Sequence, residues 1–262
     1  FSVNGSYEAD VNLGFEPQWV LIKPAQDSGS WLLFDTMRGA AVNGDAAWLA
    51  PDLTQAEANT ANRFWPTATG FHIGNYGIAA GNDIIYIAIR RGPLAPPTAG
   101  TEVFAVGDGS AGASGNAGRY RSGFSVDMGL EKDITGIDNW ELVTRLLSGT
   151  SLRPNGTNAE DTGVGGAKFD YMDGWNSGTA WADSYSWMWK RAPSYFDVVT
   201  YTGDNATSHA IDHNLGVVPE MMWCKGRSIA KDWNVYHSGL GTSGGNQGYL
   251  EVNDTAAAAY NA

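Results

Sequence analysis

One cysteine, Cys224, stands in 262 residues, so no intrachain disulfide can form and no cysteine-based metal cluster can be assembled. Charge is also scarce, at 17% of the residues, and basic charge is scarcer still: 16 Lys and Arg against 28 Asp and Glu, a net of -12. That balance is spread along the chain. It argues against nucleic acid as a partner, because a phosphate backbone calls for clustered Lys and Arg. No apolar run reaches the length that would cross a bilayer as a helix, so no membrane insertion is expected. What the chain has in quantity is 34 glycines, 11 tryptophans and 11 tyrosines. Aromatics suit a pleated surface and glycine suits tight turns, which favours short strands over long helices. With 43% hydrophobic residues the chain can fill two or three cores.

A repeat organises the whole sequence. Leu13-Gly-Phe-Glu-Pro-Gln-Trp-Val-Leu-Ile-Lys23 is followed by a turn and Trp31-Leu-Leu-Phe-Asp-Thr-Met-Arg-Gly39. Near the other end Leu215-Gly-Val-Val-Pro-Glu-Met-Met-Trp-Cys-Lys225 leads to Trp233-Asn-Val-Tyr-His237. Gly14, Lys23 and Trp31 are separated by 9 and 8 positions, as are Gly216, Lys225 and Trp233, and a blurred copy places Gly123, Lys132 and Trp140 at the same intervals. Three matches to one spacing mark a repeat protein.

Three β domains follow from this: 1–97, a second and divergent one at 98–194, and a third at 195–262. Asn4-Gly5 and Gly14 to Pro17 read as turns, and Trp19 to Lys23 and Trp31 to Asp35 as strands. Residues 40–48 read as loop. Thr54 with Glu57 three residues on reads as the cap of one short helical segment. Ile84 to Arg90 is apolar on nearly every residue, the pattern of a central strand covered on both faces. Pro93 to Pro97 is a stiff connector, and the Gly/Ala/Ser-rich 107–118 stretch is a surface loop. Leu152 to Glu160 answers Leu49 to Glu57, and Trp187 to Pro193 answers Ile87 to Pro93. The third domain stops at Ala262 before any counterpart of the Gly70-Phe71 or Ile84 to Arg90 strands. The expectation is therefore a fragment, with sequence before Phe1 and either a continuing chain or another subunit supplying the missing strands.

The repeated residues invite functional readings beside structural ones. Trp31, Trp140 and Trp233 could stack on sugars, but fixed spacing is what core geometry demands. Lys23, Lys132 and Lys225 could hold an acidic ligand, or each could end a strand with its ammonium in water. Gly241-Thr-Ser243-Gly-Gly245 fits a nucleophile-elbow pattern but is followed by more loop rather than a helix. Gly107-Asp-Gly109-Ser-Ala-Gly112 fits a phosphate-loop pattern and also lacks its helix. His209 and His213 have metal-like spacing only if helical. Asp35, Asp127, Asp170 and Asp173 are carboxylates whose separation decides whether any pair could cleave a glycoside. No residue is assigned as catalytic, cofactor-binding or metal-binding, and no cofactor is expected.

With these motifs in place the chain resembles a family of repeated, functionally uncharacterised domains in virion structural and tail-fibre proteins of tailed bacteriophages. The resemblance rests on Leu-Gly-x-x-Pro continuing to Lys (Leu13 to Lys23, Leu215 to Lys225), on Trp-x-x-Phe-Asp-x-x-Arg-Gly (Trp31 to Gly39) and its variant at Trp233 to Gly241. The Leu-x4-Thr-x-Ala element and the closing strands Ile84 to Arg91 and Trp187 to Arg191 complete it. It implies an all-β fold of tandem sandwich or jelly-roll-like domains with short helical turns, each of roughly 100 residues. It further implies a place on the virion surface as a non-enzymatic tail fibre, spike or surface fibre contributing to host attachment. The expected partners are other copies in a homotrimer, other virion proteins, and a host surface glycan or protein. A capsid decoration protein and a polysaccharide-cleaving tail spike are the alternatives. Partner choice is expected to lie in the unrepeated 40–48, 107–118 and 239–248 loops.

Overall fold

The apolar stretches Trp19 to Lys23 and Trp31 to Asp35 fold as read, into strands. The computed structural model describes residues 1–42, 44–91, 95–109, 119–147, 149–161, 167–178, 183–206 and 208–260, and its regular structure is strands with two single-turn 3-10 segments. The first repeat carries β1 (Ala9–Asn12), β2 (Pro17–Pro24), β3 (Leu32–Asp35), β4 (Asp45–Trp48), β5 (Ala58–Ala61), β6 (Phe64–Thr67), β7 (Gly70–Ile73) and β8 (Ile84–Arg90). All of its pairings are antiparallel, in sheets ordered β1-β7-β6, β3-β2-β8 and β4-β5. One core lies between the two three-stranded sheets. Val11, Phe64, Phe71 and Ile73 come from one, and Val20, Ile22, Leu32, Phe34 and Ile84 from the other. Phe34 stacks on Phe64 with ring centroids 4.7 Å apart, and Phe71 meets Tyr86 edge-on at 5.8 Å, so aromatic contacts join the two sheets.

The second repeat carries β9 (Phe104–Asp108), β10 (Arg119–Arg121), β11 (Met128–Asp133), β12 (Glu141–Thr144), β13 (Gly174–Asn176) and β14 (Ser184–Trp189). Its sheets are ordered β12-β11-β14-β9 and β10-β13, closed over Tyr120, Val126, Phe169, Trp175 and Met188. The third carries β15 (Met221–Cys224), β16 (Asn234–His237), β17 (Thr242–Ser243), β18 (Asn246–Glu251) and β19 (Ala259–Tyr260), which form one sheet around β16 and β18. Its Trp233 is buried with Leu142, Leu147 and Leu152 of the second repeat, so this sheet shares a neighbour's core.

Hydrogen bonds repeat along with the sequence. The Trp31, Trp140 and Trp233 amides donate to the side chains of Asp52, Asn155 and Asn253 at 3.1, 3.1 and 2.8 Å. Each bond ties the start of a strand to the turn after a Leu that pairs back on the same strand: Leu33 with Leu49, Leu142 with Leu152, Val235 with Leu250. The lysines follow a rule of their own. Lys23 donates to the carbonyl of Pro24, Lys132 to those of Asp133 and Gly136, and Lys225 to those of Gly226 and Ile229. Their half-exposed ammonium groups thus bond carbonyls of the turn that follows each strand, and that of Lys225 also reaches the Thr157 carbonyl. A charge-assisted bond to a turn carbonyl needs a long cationic side chain at that one position.

Three sequence expectations are corrected here. No helix forms after Thr54; the chain runs into β5 instead, because one isolated turn does not repay the cost of helix nucleation. The 40–48 stretch is no surface loop. Ala40, Ala41, Val42, Ala46 and Ala47 are buried, and β4 occupies its second half. The Ile84 to Arg90 strand is not covered on both faces. Among the described strands it pairs with β2 alone, and Ile85, Ile87 and Ile89 are 52–56% exposed. Its counterpart β14 does sit centrally, between β11 and β9. Of the 107–118 stretch, Gly107 and Asp108 belong to β9, and 110–118 lie outside the described residues.

Two glycines fix how closely strands approach. A methyl group at Gly70 would stand 1.8 Å from the Val11 carbonyl oxygen, and one at Gly174 would stand 1.8 Å from that of Tyr120. These are the same position in two repeats, facing β1 and β10. Backbone cannot yield as a side-chain tip can, so Gly174→Ala is expected to destabilise the protein by about 1–3 kcal/mol, read as a lower urea midpoint. An unchanged midpoint would show that the two strands are free to part.

Candidate functional site

The turn before β2, the turn before β11 and the residues just after β8, β12 and β14 bring charge to one place. Glu16 and Asp127 precede strands; Arg91, Arg145 and Arg191 follow them. Asp127 lies at the centre. Arg91 Nη2 reaches its Oδ2 at 2.7 Å, Arg145 Nε its Oδ1 at 3.0 Å, and the Arg191 backbone amide its Oδ2 at 2.7 Å. The Arg191 guanidinium keeps its Nε 3.7 Å from Asp127 Oδ1 and forks onto Glu16, at 2.8 and 3.3 Å, with Asp197 3.6 Å away. Asn214 joins Glu16 at 2.9 Å and donates its backbone amide to Asp197. These three acids and three arginines come from all three repeats, and none exposes more than 11% of its side chain.

Burial opposes the charge on Asp127, yet the guanidiniums of Arg191, Arg91 and Arg145 outweigh it and hold the carboxyl below its ordinary value. Burial likewise works against charge on Arg191, but Glu16, Asp127 and Asp197 raise its already high pKa. Asp127 and Arg191 are therefore held in their charged forms. Counted as charges the cluster cancels, and this makes burial of so many ions tolerable.

Beside the cluster opens a cleft of about 470 Å³. Glu16, Arg191 and Asn214 line it together with Asp10, Trp65, Tyr201, His209 and Asp212. On the first repeat's side Trp65 stacks flat on His72, centroids 3.9 Å apart and planes 7° from parallel. His72 Nδ1 lies 2.7 Å from Asp10 Oδ1, and that carboxylate is 86% exposed. The cleft size falls in the range of small-ligand sites, and its lining offers aromatic faces with hydrogen-bonding groups beside them. The charge beneath it is already paired; the groups open to a ligand are at its rim.

The chain is matched over 1–93 and 102–262 by the model of a domain of unknown function, DUF7483. It belongs to the DUF7483 family. The gap between the matched stretches falls at the proline connector. No curated protein and no solved structure matches this DUF7483 chain.

Most residues singled out in the sequence take structural places. Of the candidate carboxylates, Asp127 is enclosed by arginines, Asp35 pairs with Arg38 at 2.7 Å, and Asp173 bridges Arg119 and Arg121. Asp170 is exposed. Ser243 ends β17 in a hairpin whose turn is Gly244 and Gly245, both at positive φ, so no helix receives it as an elbow would require. His209 and His213 lie in irregular chain rather than a helix; His209 faces Asp204 at 3.5 Å and His213 Nδ1 accepts from the Leu215 amide. Among the described residues, no three His, Cys, Asp or Glu side chains are grouped to hold a metal ion. Trp233 is buried, and Trp31 and Trp140 are half-buried. Sequence reading missed Glu16, Arg91, Arg145 and Arg191. The one signal available was the basic pair closing both Ile84 to Arg91 and Trp187 to Arg191.

Asp127→Asn leaves buried guanidiniums short of a carboxylate and is expected to cost about 3–5 kcal/mol in urea unfolding at neutral pH. The depressed carboxyl gives a sign as well. Its contribution is complete above the unfolded-state value and is lost as pH falls through the folded value, that is, below about pH 4. The stability difference between the native chain and Asp127→Asn should therefore shrink in that acid window. A difference that stays constant from pH 7 to pH 3 would remove Asp127 from this role.

Proposed function

We propose that this chain is a non-enzymatic structural component of a bacteriophage particle, a tail fibre or virion-surface fibre that contributes to host attachment. One observation carries the reading: the buried, charge-balanced junction through which Arg91, Asp127, Arg191 and Glu16 tie the repeats to one another. Joined this way, repeats transmit load and keep a fixed shape, which flexible beads on a linker do not. They do so with one cysteine and no disulfide, and a particle that persists outside a cell has to hold its shape without cellular repair. The junction's side chains serve cohesion; host contact is left to rims such as the cleft with Trp65, Tyr201 and Asp10. An aromatic face beside exposed carboxylate and imidazole groups is suited to stacking on a neutral sugar while hydrogen bonding its hydroxyls. Assembly as a homotrimer belongs to the same proposal.

Gold-labelled antibody against the chain is expected to decorate phage particles at a fixed position. The purified chain, preincubated with host cells, is expected to lower phage adsorption, and Trp65→Ala to weaken that competition by roughly tenfold, about the loss of one aromatic stacking contact. Absence of label on intact particles, with all of the protein in the host lysate, would overturn the assignment.

A further inference from the structure

We propose that the outer edge of β15 accepts one extended apolar strand ending in a basic residue pair, a segment with the chemistry of β8 and β14. In the first repeat β2 lies between β3 and β8, and in the second β11 lies between β12 and β14. In the third, β15 pairs with β16 alone, and its other edge carries no strand among the described residues. All four residues of β15 are exposed, Met221 at 50%, Met222 at 42% and Trp223 at 43%. Unpaired backbone beside large apolar side chains is the surface that strand addition satisfies.

The two complete copies say what fits there, and in which register. Gln18, Asp127 and Glu220 occupy one position, because their carbonyls accept from the equivalent amides of Thr36, Arg145 and Ser238. From that anchor Trp223 corresponds to Leu21 and Leu130, which face Ile87 and Trp187 across the ladder. Met221 corresponds to Trp19 and Met128, which face Ile89 and Trp189. An antiparallel strand with large apolar residues opposite Met221 and Trp223 would restore the same contacts. Charge gives a second, independent match. Beyond β14 the Arg191 amide bonds the Asp127 carboxylate and its guanidinium Nε lies 3.7 Å from the same group. The first repeat has Gln18 at that position, and its Arg91 reaches across to Asp127 instead. Glu220 holds a carboxylate at that position in the third repeat and stands exposed. A second copy of this chain is the poorer occupant. Its own β8 and β14 are already paired with β2 and β11, and each copy brings a net charge of -12, whereas a strand ending in two basic residues meets that charge favourably.

The test uses the whole chain and a synthetic peptide of the β14 segment, Ser184 to Arg191, with hydrogen exchange followed by mass spectrometry. The expected result is exchange slowed at least about tenfold across Met221 to Cys224, a factor that corresponds to 1.4 kcal/mol. A scrambled peptide should give no protection, and Glu220→Lys should weaken the native peptide's binding about tenfold. Because Glu220 is exposed, that variant should keep the thermal midpoint of the native chain, which separates lost binding from lost folding. Equal protection by the scrambled peptide, or none by either, would overturn the proposal. So would protection that appears without peptide as the chain is concentrated, together with a dimer in sedimentation, since the occupant would then be a second copy.

Discussion

The interaction on which the arrangement depends is the Asp127 carboxylate, buried against Arg91 and Arg145 and bonded to the amide of Arg191. Each bond comes from a different stretch of chain: the end of β8, the end of β12 and the end of β14. Removing water from one carboxylate and several guanidiniums is costly, and the cost is offset only when partners are close and every charge is matched. The position of Asp127 thus constrains where three strands may end. Glu16, forked by Arg191, imposes the same discipline on the turn before β2.

Around this junction the repeats divide the work unevenly. The first two close cores of their own, between paired sheets in one and over Trp175 in the other. The third lends Trp233 to a cluster built mainly by the second, and its Arg227 reaches both Glu160 and the Val42 carbonyl. The 40–48 stretch is accordingly a contact between repeats, with Val42 both buried and hydrogen-bonded to the third repeat. The β17–β18 hairpin instead faces solvent, with Thr242 and Ser243 exposed.

Much of the fold was legible because it is local. The interval from Gly14 to Lys23 to Trp31 is the length of one turn, one strand and one turn, and it recurs because each piece meets the same partners. The strands at Trp19 to Lys23 and Trp31 to Asp35 could be read from bulky residues between turn signals. What misled was hydrophobicity without context: the apolar run in β8 reads as a central strand, and whether a strand is central depends on what lies beside it. The Thr54 segment failed for a related reason, since capping residues signal a helix only when enough chain follows to propagate one. Of the junction, the sequence offered only the repeated closing basic pair and Asp127 as one carboxylate among several. Arg91 and Arg191 look like ordinary strand-ending basic residues, and Asp127 sits 36 and 64 positions from them.

The sequence by itself determined that this is an all-β repeat protein, with a lysine and a tryptophan at fixed places in each copy. Periodicity and turn residues carry that information, and both act over a few positions. The tertiary structure alone decided which edges are covered, which charges are buried, and that β15 stands open where β2 and β11 are filled. Those outcomes arise from contacts between residues far apart in the chain, and pairing across such distances is set by geometry that no short window of sequence contains.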